Sequence, residues 1–400
     1  MRLYNSLTGA VDPVTPSDDT LRMYVCGVTP YDTTHLGHAL TYTTFDVIHR
    51  YFLYRGFRVL YIQNVTDIDD DILRKANEVG EPWDELGNRW AKVHQDSLEA
   101  LNVLPPVEYT RATEHIGKMV EIIETLVSHD QAYVAGANVY FRVKSFESYG
   151  RLSKLDDGTM RDRLNETGDR TDDPHKEQPL DFVLWLGQKP GEPAWPSPWG
   201  PGRPGWHIEC SAMAIDHLGS TLDIHGGGSD LIYPHHENEI AQSESYTGQK
   251  PFTHTWVHNG MLRLGSEKMS KSLGNLVLAQ DLLKRYSSDA IRLYLHGERY
   301  RDSFAFDESK LKSAQQAADA FAQVAALPSD HGDQLDVSRW REAFLSSLEN
   351  DLDMAGGIQA LHQMALAIGT AHAAQAQVSE AQAELRALAG ILGLRLTQHQ

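Results

Sequence analysis

His35-Leu36-Gly37-His38 lies between the apolar run Met23-Tyr24-Val25 and an amphipathic stretch over 41–54, so two imidazoles fall at a strand-to-helix junction. Helix N-terminal amides point outward at such a junction and bind phosphates. Gly37 lets a ligand approach the backbone closely, and both rings can donate hydrogen bonds to phosphate oxygens. Far downstream, Lys268-Met269-Ser270-Lys271-Ser272, with Gly265 before it and Gly274 after it, reads as a cationic loop that answers the charge of a departing pyrophosphate. A His-x-x-His alone is more often a capped surface turn, and the second motif alone could be any solvated basic loop. Both in one chain, in this order and followed by Leu273-Gly274-Asn275, predict a device that holds ATP during acyl transfer.

The surrounding sequence supplies the fold. Met23-Tyr24-Val25 and Arg58-Val59-Leu60-Tyr61, joined by a helical stretch over 40–54, make a β-α-β start, which predicts a parallel sheet with a nucleotide site at its strand ends. Residues 91–128 have helical spacing, and 132–143 read as strands around the turn Gly136-Ala137-Asn138. Residues 154–175 are charged and poor in apolar side chains, which predicts a surface loop. Asp181-Phe182-Val183-Leu184-Trp185 and Thr255-Trp256-Val257-His258 predict further buried strands, with a Pro- and Gly-rich segment over 190–205 between them. From Glu308 the chain is alanine-rich and predicts a helical bundle, interrupted at Pro328-Ser329-Asp330-His331-Gly332-Asp333. The expected architecture is an α/β, Rossmann-like parallel sheet split between 1–90 and 177–300, an α/β insertion over 91–176 and a C-terminal helical domain over 301–400.

Composition narrows the setting. The 400 residues are 41% apolar without any run long enough to span a bilayer. The polar start Met1-Arg2-Leu3-Tyr4-Asn5 has no signal-peptide pattern, so a cytoplasmic protein without a membrane partner is expected. Two cysteines, Cys26 and Cys210, cannot build a disulfide scaffold in a chain of this size. A net charge of −19 leans against a nucleic-acid partner, although one basic stripe can coexist with an acidic whole.

The cysteines have company. The run Pro234-His235-His236-Glu237-Asn238-Glu239 follows Cys210 soon after, and thiolate, imidazole and carboxylate form the donor set zinc prefers. If 235–239 is helical, His235 and Glu239 lie one turn apart and can grip one ion together with Cys26 and Cys210. The competing reading of that run is a helix N-terminus with capping carboxylates. Zn²⁺ favours sulfur over a hydroxyl, so a metal at the substrate side chain selects cysteine over serine and makes an editing step unnecessary.

The pairing of the two lysine and histidine motifs resembles class I aminoacyl-tRNA synthetases. Cys26-Gly27-Val28-Thr29-Pro30-Tyr31-Asp32, Asn64-Val65-Thr66-Asp67-Ile68-Asp69-Asp70, Gly202-Arg203-Pro204-Gly205-Trp206-His207-Ile208-Glu209-Cys210 and His225-Gly226-Gly227-Gly228-Ser229-Asp230 resemble the cysteinyl-tRNA synthetase family along most of the chain. That family also contains a shorter ligase, which joins cysteine to glucosaminyl-inositol in mycothiol biosynthesis. His38-Ala39-Leu40-Thr41-Tyr42, Leu101-Asn102-Val103-Leu104-Pro105-Pro106, Gln178-Pro179-Leu180-Asp181 and Gly274-Asn275-Leu276-Val277-Leu278 look more like the ligase, as does a chain that stops near Leu394 without the synthetase's anticodon domain. Glu239 points the other way, since it stands where the synthetase has its carboxylate ligand and the ligase tends to lack one.

The resemblance implies two half-reactions: cysteine and ATP, with Mg²⁺, give cysteinyl adenylate and pyrophosphate, then an acceptor displaces AMP. It implies His35, His38, Lys268 and Lys271 at the transferring phosphate, and one Zn²⁺ on Cys26, Cys210, His235 and Glu239. Gly27, Thr66 and Trp206 would surround the cysteine side chain, with Thr29, Thr41, Asn64, Gly228, Ser229, Asp230 and Leu262 along the adenylate. The expected acceptor is the amine of glucosaminyl-inositol, and the expected enzyme a monomer. The alternatives are a cysteine–tRNA ligase lacking its anticodon domain and, from a different class, a silent nucleotide-binding paralogue.

Overall fold

The computed structural model describes residues 1–167, 170–265, 267–268, 276–328 and 334–397. A hairpin of β1 (Arg2–Asn5) and β2 (Ala10–Pro13) leads into β3 (Thr20–Val28), α1 (Leu36–Tyr54), β4 (Arg58–Val65), α2 (Asp70–Val79), α3 (Trp83–Ala100) and β5 (Glu108–Arg111). After α4 (Ile116–Ser128) come β6 (Ala132–Ala135), β7 (Asn138–Phe141), α5 (Asp157–Thr167), β8 (Phe182–Gly187) and β9 (Gly202–Pro204). Then follow α6 (Trp206–Leu218), β10 (Leu222–Gly228), α7 (Glu237–Thr247), β11 (Thr253–Asn259), β12 (Leu262–Leu264), β13 (Glu267–Lys268), α8 (Ala279–Leu283), α9 (Ser288–His296) and β14 (Phe304–Ala305). Four helices close the chain: α10 (Glu308–Ala325), α11 (Ser338–Glu349), α12 (Met354–Ala373) and α13 (Ser379–Ile391).

The central sheet runs β11-β10-β3-β4-β5, with every neighbouring pair parallel. β3 explains why both its faces are covered. Leu21, Met23 and Val25 join the core shared with α1, α9 and the C-terminal helices, while Tyr24 and Cys26 point into the core shared with α4 and α6. A strand buried on both sides reads as a continuous apolar run, which is why Met23-Tyr24-Val25 is visible in the sequence. The chain builds outward from β3 through β4 to β5, then returns on the other side of β3 as β10 and β11. That reversal opens a crevice at the C-terminal ends of β3 and β10, the usual ligand position in such sheets.

Several expectations change here. The helical stretch over 91–128 is broken by β5, which forms one edge of the central sheet. The loop expected over 154–175 contains α5, whose Met160 and Leu164 are buried. β8 does not enter the central sheet; it belongs to an antiparallel four-stranded sheet in the order β6-β7-β8-β9. β10 was not anticipated, because its Gly226-Gly227-Gly228 end reads as a turn. Packing decides it: a Cβ on Gly226 would overlap the ring of Phe45 in α1. Gly226→Ala should therefore lift α1 from the sheet and cost about 1–3 kcal/mol of stability, read as a lower urea midpoint at unchanged slope.

The Ala-rich C-terminal region forms the expected helices, with 329–333 outside the described residues. Among the described residues no helix is long and apolar enough to cross a membrane.

Candidate active site and metal centre

His35 is the N-cap of α1: its Nδ1 accepts hydrogen bonds from the amides of Gly37 at 3.1 Å and His38 at 3.3 Å. The bland reading of His-x-x-His as a capped turn is therefore true of its backbone role, without exhausting it. The ring of His38 stacks on His35 with centroids 3.7 Å apart. The start of α1 is also strapped to the chain after the second motif, since the Leu36 amide donates to Val277 O at 2.8 Å and the Ala279 amide to Thr34 O at 3.3 Å. Lys268 lies in β13 opposite Arg263. Its side chain and residues 269–275, Lys271 included, are outside the described residues.

A cavity of about 840 Å³ opens over the crevice. Among its walls are Cys26, Gly27, Thr29, His35, His38, Thr41, Trp206, Gly228, Asp230 and Leu262, all singled out in the sequence. Asn64 and Thr66 stand behind this wall. The Asn64 Oδ1 accepts from the Gly27 amide at 2.7 Å, and its Nδ2 donates to Thr66 Oγ1 at 3.0 Å, so they brace the C-terminal end of β3. Ser229 is in the 3₁₀ turn after β10 and is not among the cavity walls.

At the inner end of the cavity, Cys26 on β3, Cys210 on α6, and His235 and Glu239 around the start of α7 converge with all four donor atoms within 4.8 Å of one another. The two Sγ atoms are 3.8 Å apart, Cys26 Sγ is 3.7 Å from Glu239 Oε1, and His235 Nε2 is 3.1 Å from the same oxygen. All four residues are buried. Burial pushes the Cys26 thiol and the Glu239 carboxyl well above their usual ranges. Burial also acts against Cys210, but the hydrogen bond with Cys26 and the nearby His235 bring it down to about 7. Glu239 Oε2 has no hydrogen-bond partner although it is fully buried. Two thiols, an imidazole and an under-satisfied carboxylate fit Zn²⁺, which stabilises the charged form of each acid that burial opposes. Trp206 stacks on His235 at 4.2 Å and keeps 40% of its surface exposed, forming part of the cavity wall beside the donor cluster.

The sequence reading missed the shell behind this centre. His225 Nε2 lies 3.6 Å and His236 Nε2 3.2 Å from Cys26 Sγ, and these two with Cys26 and Glu239 form a second, overlapping set of four donors. His236 Nδ1 is 2.8 Å from His258 Nε2, and His258 Nδ1 is 2.7 Å from Ser6 Oγ. Burial and the neighbouring imidazoles hold His225 and His236 well below the usual histidine range, so both are neutral and able to accept or ligate. His236 stood within a run already noticed. His225 opens a string quoted for its family resemblance but was given no role, since a single histidine in a strand carries no spacing signal.

A parallel sheet with its crevice at the β3–β10 reversal, covered by helices and followed by a helical C-terminal region, is the fold of class I aminoacyl-tRNA synthetases. Solved structures of this class share it: a Mycobacterium tuberculosis methionyl-tRNA synthetase in complex with methionyl-adenylate superposes with TM-score 0.66 at 16% identity, covering 94% of this chain and 90% of that one. A leucyl-tRNA synthetase from Agrobacterium radiobacter, in a ternary complex with tRNA, gives 0.64 at 9% identity, covering 96% and 85%. Residues 13–316 match the family described as tRNA synthetases class I (C) catalytic domain. The chain belongs to this cysteinyl-tRNA synthetase family. A cysteine–tRNA ligase of Dehalococcoides mccartyi is 45% identical over 99% of this chain and 86% of its own length, and one of Pseudomonas aeruginosa is 43% identical over 98% and 85%.

Proposed function

We propose that the chain activates L-cysteine with ATP and transfers the cysteinyl group to tRNA. In the first step a cysteine carboxylate oxygen attacks the α-phosphorus, the bond from that phosphorus to the bridging oxygen breaks, and pyrophosphate leaves. In the second, the terminal ribose hydroxyl of the tRNA attacks the carbonyl carbon, and AMP departs with the electrons of the acyl–phosphate bond. Magnesium accompanies ATP as part of the substrate.

The observation that carries this reading is Glu239 completing the donor set of Cys26, Cys210 and His235 at the inner end of the cavity. When bound there, Zn²⁺ supplies a sulfur-selective contact that a serine hydroxyl meets far less well. The chain's own residues do the rest. Trp206 and Gly27 enclose the side chain, the Asp230 carboxylate is placed on the cavity wall to meet the substrate ammonium, and Asn64 and Thr66 fix the Gly27 backbone from behind. His35 and His38, with Lys268 and Lys271, meet the phosphates. Their work is positioning and charge stabilisation, without a protein nucleophile.

The acceptor differs from the one expected from chain length and from the ligase-like strings. Relatives at 43–45% identity over nearly all of this chain are cysteine–tRNA ligases, and the buried Glu239 stands within the donor group, where the resemblance implies the synthetase's carboxylate ligand. The net charge of −19, which leaned against tRNA, is a global sum that says little about the mouth of one cavity. A competition assay decides: protein with ATP, Mg²⁺ and labelled cysteine, offered tRNA and glucosaminyl-inositol together. Label should appear on tRNA. Label on the amino sugar with none on tRNA would overturn the acceptor, and exchange of pyrophosphate with serine as readily as with cysteine would overturn the metal-selection argument.

A further inference from the structure

We infer that His94 is a positioning residue for the ATP end of the cavity, holding the turn of residues 34–38 from behind. The inference rests on the proposed function, in which that turn meets the phosphates. His94 lies on α3, outside the central sheet and absent from the cavity walls, yet it is almost completely buried. A buried imidazole needs hydrogen-bond partners, and here the partners join three separate elements.

Gln63 on β4 donates its Nε2 to His94 Nε2 at 3.4 Å, and the Gln63 Oε1 accepts from the Tyr61 hydroxyl at 3.0 Å. An amide nitrogen only donates, so His94 Nε2 is the acceptor and the ring proton resides on Nδ1. His94 Nδ1 then donates to Thr34 Oγ1 at 2.9 Å. The chain of bonds from Tyr61 through Gln63 and His94 to Thr34 thus has one direction, and it ends on the residue before the N-cap His35. Thr34 is held from the opposite side as well, because its carbonyl accepts from the Ala279 amide in α8.

The ring does a second job. His94 meets Tyr42 edge-on at 5.0 Å and His38 edge-on at 6.3 Å with the planes 86° apart. Tyr42 in turn donates its hydroxyl to Cys26 O at 3.1 Å. One side chain therefore bears on the backbone before the first motif, on a ring of the motif itself, and on the tyrosine that supports the strand end. Displacement of about 1 Å at reacting groups can cost about 100-fold in rate, so a support at this junction matters to catalysis without touching substrate.

Two variants separate the two contributions. His94→Phe keeps ring bulk and removes the hydrogen bonds to Thr34 and Gln63; His94→Asn loses the ring but places an amide nitrogen where Nδ1 was, able to donate to Thr34. In cysteine-dependent ATP–pyrophosphate exchange, His94→Phe should lower kcat/KM for ATP about tenfold, the size expected for one buried hydrogen bond. The effect on cysteine should be smaller than that on ATP, since His94 hydrogen-bonds Thr34 directly and reaches Cys26 only through its ring contact with Tyr42. His94→Asn should recover a substantial part of the loss, and Thr34→Val should add little to His94→Phe because both remove the same bond. His94→Phe with wild-type kcat/KM for ATP would overturn the inference, as would equal falls for ATP and cysteine accompanied by a lower Tm, which is the mark of a merely structural residue. Wild-type protein that shows no cysteine-dependent exchange would reject the proposed function itself, a distinct result.

Discussion

Cys26→Ala should strip the protein of zinc and reduce cysteine-dependent pyrophosphate exchange by more than about 100-fold, since even partners one shell out from a metal contribute about 10–100-fold to affinity. Cys26 is the better choice than Cys210 because it belongs to both overlapping donor sets, as does Glu239. Removing Cys210 leaves Cys26, His225, His236 and Glu239 still clustered, so that variant should retain more metal than Cys26→Ala. Zinc content by elemental analysis is read beside the exchange rate. Stoichiometric zinc on purified, folded Cys26→Ala protein would show that the ion is held elsewhere and would sink the assignment.

The second large effect concerns stability. Arg292 on α9 is completely buried and donates to Asp46 Oδ2 at 2.5 Å, to Leu392 O at 2.7 Å and to Leu101 O at 3.1 Å. Asp46, on α1, also receives Arg50 Nε at 2.8 Å and the Leu104 amide at 2.8 Å. The pair thereby joins the helix that carries the first motif to α9 and to the end of α13. Arg292→Leu leaves Asp46 as a buried carboxylate with a weakened set of partners, and breaking such a pair costs about 3–5 kcal/mol. Arg50 and the Leu104 amide remain, so the lower part of that range is expected, measured by urea unfolding. Adding Asp46→Leu should restore part of the loss, because removing both charges avoids the unpaired one. A single variant as stable as wild type would show that the cluster contributes nothing net.

How much of this was legible in the sequence depends on the length scale of the signal. α1 announced itself by its amphipathic stretch after His35-Leu36-Gly37-His38, and β3 by an apolar run that two covered faces impose. The C-terminal helices followed from alanine content. By contrast, α5 was hidden because Met160 and Leu164 are the buried side chains among its described residues, leaving too little apolar content to show a period. β10 was hidden because its glycines accommodate Phe45 rather than favour a strand. Of the site, Cys26, Cys210, His235 and Glu239 were singled out, whereas His225 and His258, though inside strings read for other reasons, were not tied to the centre, because only packing brings them to it.

By itself, the sequence determined which groups are present: two imidazoles before a helix, a lysine-rich loop, two thiols and an acidic histidine run, each readable because neighbours in the chain share a local geometry. Only the tertiary structure decided that Cys26 from β3, Cys210 from α6 and the start of α7 meet at one point, and that His94 from α3 stands behind Thr34. Contacts between residues 60 to more than 200 positions apart are set by how the β3–β10 reversal and the helices over it pack, and no periodicity along the chain encodes them.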